Sequence, residues 1–120
     1  MKGVEMTVYV AYGVPAGLFD FKSPIVYLRL QRASVDFVRH FLKVYSFVSM
    51  ISDEKILRLL RSILQIDIPI GMRLHKIYRG DVLVSFQLHV PYGYETRAEL
   101  SEMIDLVRNN KFDFFIIEFY

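Results

Sequence analysis

The run Phe112-Asp-Phe-Phe-Ile-Ile-Glu-Phe119 constrains this chain more than any other segment. Successive side chains of a strand point to opposite faces, and this run is apolar on both. Such a strand needs cover on each side, which places it inside a sheet or at a seam between two copies. With 120 residues there is room for one domain with one core, 1–120, and nothing reads as a linker.

The rest of the chain supplies partners for that strand. Met6, Val8 and Val10 alternate with Glu5, Thr7 and Tyr9, a first strand to about Ala11. Tyr12-Gly-Val-Pro-Ala-Gly17 reads as a loop, and Ile25 to Leu30 as a second strand. Ser34 caps a predicted helix whose stripe is Phe37, Val38, Phe41, Leu42, Tyr45 and Val48. Ser52 or Asp53 caps a second, with Ile56, Leu59, Leu60, Ile63 and Leu64 on one side, ended by Asp67 and Pro69. Met72–Tyr78 and Val82–Val90 flank Arg79-Gly80-Asp81, a hairpin signal. Pro91-Tyr92-Gly93 turns the chain. Thr96 and Glu99 then predict a capping box before a helix carrying Leu100, Met103, Ile104 and Val107, which Asn109-Asn110 closes. The fold predicted is α+β: a mixed five-stranded sheet with helices packed on it, in the order ββααββαβ.

Composition narrows the function. The hydrophobic share of 53% is high for so small a domain, and it points to apolar surface covered by a second copy. The absence of cysteine excludes thiol chemistry, disulfides and thiolate metal sites, and suits a reducing cytoplasm. Scarce amides are a mild thermophile signal. The uncharged run Met6–Phe19 is too short to span a membrane and is broken by glycines and Pro15.

Chemistry-bearing motifs are few. The histidines His40, His75 and His89 have no metal-ligand spacing, and neither a nucleophile elbow nor a phosphate-cradling glycine loop is present. No metal and no cofactor are expected. Charge, however, is uneven: residues 28–80 carry ten Lys/Arg against four acids, the remainder five against nine. Arg39 and Lys43 repeat at helical spacing, as do Lys55, Arg58 and Arg61. Aligned across a dimer, these stripes would line a groove for phosphates, or bind nucleic acid with a steep salt dependence. The ordinary reading of the same residues is a solvated face.

The capped helix after Ser52, Arg73 on a strand, the Gly80-Asp81 turn, Gly93, Thr96, Glu99-Leu100 and the aromatic last strand form a pattern. With Ala11-Tyr12-Gly13 after the first strand, it resembles the small dimeric ring nucleases of archaeal viruses. That anti-CRISPR family degrades cyclic tetra-adenylate. The resemblance implies a homodimer with a nucleotide site, but its functional positions are altered. Ser52 stands where the family has its catalytic histidine, His89 where it has a phosphate-contacting arginine, and Tyr92 where it has a glutamate. Ala11-Tyr12-Gly13-Val14 replaces its Asn-Ala-Phe-Ser turn. A serine hydroxyl is no proton donor near neutral pH. The expectation is therefore a non-catalytic binding protein for an anionic nucleotide such as cyclic oligoadenylate, or for a protein of the defence machinery. The ligand-binding candidates are Ser52, Lys55, Arg58, His89, Tyr92, Tyr12 and Gly13. The alternative is a rearranged phosphodiesterase with His89 as its acid.

Overall fold

The structure, a computed structural model, describes residues 6–14, 27–71, 77–91 and 93–120. Its elements are β1 (Val8–Tyr12), β2 (Leu28–Ala33), α1 (Val35–Val44), β3 (Phe47–Ser49), α2 (Glu54–Leu64), β4 (Val82–Leu88), α3 (Tyr94–Arg97), α4 (Leu100–Arg108) and β5 (Phe112–Phe119). The sheet has five strands in the order β2-β5-β4-β1-β3. β1 runs parallel to β3 and β4, and β5 is antiparallel to both β4 and β2. It follows that β1 to β4 all end at one edge of the sheet, where β5 begins. The fold is the expected α+β with a mixed five-stranded sheet.

The last strand lies where its two apolar faces require. β5 is interior, between β2 and β4. Its even-numbered residues Phe112, Phe114 and Ile116 join the main core, which also takes Val38 and Leu42 of α1, Leu57 and Leu60 of α2, and Met103 of α4. Phe115, Ile117 and Phe119 face the other way, into a smaller cluster with Tyr9, Leu83, Met50 and Ile77. All three long helices thus cover a single face of the sheet.

Three local expectations are corrected. β4 is no hairpin arm, because Val8–Tyr12 pairs along one side of it and Phe112–Glu118 along the other. Both of its hydrogen-bonding edges are occupied. Gly80, at φ +90°, and the Asp81 N–H donating to Tyr78 O still make the turn. The buried Asp81 carboxylate accepts from the N–H of Tyr78 and, across to the lead-in of β1, from that of Thr7. A turn signal fixes a reversal of direction and leaves the partner strand open. Met72 to Lys76, most of the expected first arm, lie outside the described residues.

The helix from Ser34 stops at Val44 rather than reaching Val48, since Tyr45 is extended. Val48 instead sits in β3, a short strand inserted between the two helices, opposite Tyr9 of β1. Finally, the capping box lies one turn later than Thr96–Glu99. Glu99 is the N-cap of α4, and Glu102 accepts from its backbone N–H at 3.4 Å. No described helix is long and apolar enough to cross a membrane.

Candidate functional site

In open sheets of parallel strands, loops at the carboxyl ends are where ligands are commonly held, because side chains from several strands converge there. This topology brings four of the residues named from the sequence to that edge. Tyr12 ends β1, and Gly13 follows it with φ +69°, a conformation that glycine adopts without strain. The Gly13 N–H donates to Phe86 O at 2.8 Å, and the Gly13 carbonyl accepts from the buried Ser85 hydroxyl at 2.7 Å. Tyr12 packs edge-on against Phe86, and its hydroxyl accepts from the Leu88 N–H. The turn after β1 is thereby fastened to the end of β4, one residue before His89.

His89, just past the end of β4, is held at this edge by an acid. Its Nε2 lies 2.6 Å from Asp113 Oδ2, at the start of β5. Arg32 Nε, near the end of β2, lies 3.2 Å from the other oxygen of the same carboxylate. The Arg32 guanidinium also stands 5.6 Å from the centre of the Phe115 ring, within reach of a cation–π attraction. Arginine, carboxylate and imidazole form a chain across three strands, with the His89 side chain 45% exposed and Asp113 23%. The Nε2 is committed to Asp113, which leaves Nδ1 as the ring atom available to a ligand. Sequence reasoning found His89 but missed Arg32 and Asp113. A signal for Asp113 was present: it is one of two acids, with Glu118, in a strand otherwise apolar.

Ser52 is exposed at the same edge, between β3 and α2, but does not cap the helix. Asp53 does, its Oδ1 accepting from the N–H of Lys55 at 2.8 Å and of Ile56 at 3.3 Å. Tyr92 lies outside the described residues.

The basic stripes divide. Lys55 Nζ donates to Ala98 O at 2.7 Å, tying the start of α2 to the residue ahead of α4's cap. Arg39 donates from Nε to Leu64 O and from Nη2 to Ile63 O, closing the carbonyl end of α2 with its charge where the helix dipole is negative. Arg61 Nε donates to Ile68 O at 2.9 Å. These three cations hold the chain to itself. Arg58 stays exposed, and it borders a cleft between α2 and α4 rather than the strand ends. A second cleft, of about 470 Å³, opens between α1 and β5, lined in part by Phe37, Phe41, Tyr45 and Ile116. Phe37 and Tyr45, expected in the core, are 52% and 45% exposed there. α1 turns only Val38 and Leu42 fully inward.

No protein-family model and no curated protein sequence matches the chain. Solved structures do, in 12 chains. One of them is B116 of Sulfolobus turreted icosahedral virus, similar with a TM-score of 0.71 over 93% of this chain and 98% of that one, at 11% identity. At that identity the likeness is one of fold: this chain is built like a protein of an archaeal virus.

Proposed function

We propose that the protein is a non-catalytic binding protein that pairs with a second copy and holds a phosphate-bearing nucleotide at the carboxyl edge of its sheet. The observation that carries this reading is the Arg32–Asp113–His89 chain at that edge, next to the Tyr12–Gly13 turn that is fastened to the end of the same strand β4. The exposed Arg32 guanidinium and the exposed His89 ring, both held by Asp113, offer N–H donors suited to a phosphate. Resemblance to the viral ring nucleases makes cyclic oligoadenylate the first nucleotide to try. The likeness to B116 in fold supports a viral setting. Absence of a histidine at Ser52 supports binding without turnover.

Calorimetric titration with cyclic tetra-adenylate, its linear form and ATP tests the reading. Saturable binding that weakens on His89→Ala, with the nucleotide recovered intact, is the expected result. No binding of any of the three would remove it. Sedimentation measurements give the state of association independently.

One contact favours a second reading. The 2.6 Å approach of His89 to Asp113 is the geometry that orients a catalytic imidazole, so a rearranged phosphodiesterase is the alternative. Its mark would be a cleaved product whose formation is lost in His89→Ala.

A further inference from the structure

The seam between α2 and α4 is an open groove of about 330 Å³. Leu59 and Ile63 of α2 and Leu100, Ile104 and Val107 of α4 supply its apolar surface. On each helix the lining residues recur at i, i+4 spacing, so they form ridges of the kind that receive a third helix. Leu59 is buried, but Ile63, Leu100, Ile104 and Val107 remain only partly covered. The groove is therefore a surface feature rather than part of the core.

Two arginines border it, Arg58 and Arg108, both exposed. Neither makes an ion pair or side-chain hydrogen bond among the described residues, in contrast to Arg39, Lys55 and Arg61. No lining residue is acidic and none is aromatic. An aliphatic floor without stacking platforms suits an aliphatic side-chain row better than bases. Two uncommitted guanidinium groups suit carboxylates, which they engage with paired hydrogen bonds.

We infer that this groove docks an acidic amphipathic helix of a partner protein. Its aliphatic residues at i, i+3, i+4 and i+7 would lie against Ile63 and Ile104, and its flanking carboxylates would meet Arg58 and Arg108. The surface is separate from the nucleotide edge, and either assignment stands if the other fails.

The probe is a fluorescein-labelled, terminally blocked peptide with leucines at i, i+3, i+4 and i+7 and glutamates beside them. A second peptide carries lysine for every glutamate. Fluorescence anisotropy should show saturable binding of the acidic peptide to the full chain, weakened roughly tenfold or more in the double variant Arg58→Glu/Arg108→Glu. That variant should in turn prefer the lysine peptide, an exchange that a misfolded protein would not produce. Methyl resonances of Ile63 and Ile104 should shift with the acidic peptide. Absence of saturable binding up to millimolar peptide would overturn the assignment, as would equal binding by the double variant or shifts confined elsewhere. Arginine-dependent attachment to phosphatidylglycerol vesicles without peptide binding would also overturn it, in favour of a lipid surface.

Discussion

The two sides of α2 are built differently. Toward α1 the seam is closed: the Arg39 guanidinium bonds the Ile63 and Leu64 carbonyls, and the segment after the helix is drawn in by Arg61 on Ile68 O and by the Gly71 N–H on Ile51 O. Toward α4, Lys55 ties the start of the helix to Ala98 O, and beyond it the groove stays open with Arg58 unengaged among the described residues. Cations of the same kind thus take opposite roles on its two sides. On the closed side Arg39, from α1, satisfies carbonyls that the end of α2 leaves without partners, and Arg61 bonds a carbonyl beyond that end. On the open side the charge of Arg58 remains for something outside the chain.

If this contrast is sound, the closed side should be far less tolerant. The largest effect is expected at Gly71. A Cβ there would stand 1.9 Å from Ser49 O and 2.4 Å from Ser49 C, backbone atoms that cannot swing away. Gly71→Ala should cost about 3 kcal/mol or more, read as a drop in the midpoint of denaturant unfolding. A near-neutral result would break the claim that this segment is held tightly against β3.

Arg39→Met comes next. It keeps much of the aliphatic stem but removes the hydrogen bonds to two carbonyls, at a cost of about 2 kcal/mol. A loss no greater than that of Arg58→Met would erase the distinction between the two seams. Denaturant titrations of both variants measure it.

A smaller, pH-dependent effect belongs to the junction beside the open seam. The Tyr94 hydroxyl donates to Glu102 Oε2 at 2.7 Å. That bond, with help from the Glu99 backbone N–H, holds the Glu102 carboxyl below its ordinary range, and the same bond to Glu102 raises Tyr94 above its own. A lowered carboxyl stabilises the fold above its unfolded value and loses this as pH falls through the folded one. A raised phenol loses its contribution as pH rises through its folded value. Tyr94→Phe should therefore be less stable than the parent near neutrality, and the gap should shrink in acid and in strong base. A gap independent of pH would show that Tyr94 acts through packing alone.

The smallest effect is Arg58→Met itself, within about 0.5 kcal/mol of the parent in thermal unfolding. A larger loss would mean that Arg58 supports the fold.

Much of the architecture was legible in local pattern. The helix Glu54–Leu64 follows from an acid cap and apolar residues at i, i+3 and i+4, and the interior place of Phe112–Phe119 from its two apolar faces. What misled was the assumption that neighbours in sequence pair in space. Gly80-Asp81 reads the same whether β4 meets the segment before it or the distant β1 and β5. Likewise Val48 fits a helical stripe as well as it fits a strand, and only the open side of β1 decided between them. At the candidate edge, His89 and Tyr12-Gly13 were found from resemblance. Arg32 and Asp113 were not, because they are 81 positions apart and no local pattern links them.

The sequence by itself determined most of the helical and extended segments, though not the strand at Val48, and that one strand must be covered twice, because those properties depend on side-chain periodicity within a few residues. Tertiary structure alone decided that β4 would lie between β1 and β5, that Arg39, Lys55 and Arg61 would be bound to carbonyls while Arg58 would not, and that His89, Asp113 and Arg32 would meet. Those outcomes depend on which distant surfaces come within hydrogen-bonding reach. The physical reason is that a cation's chemistry is the same in either role, and only its neighbours in space set which one it takes.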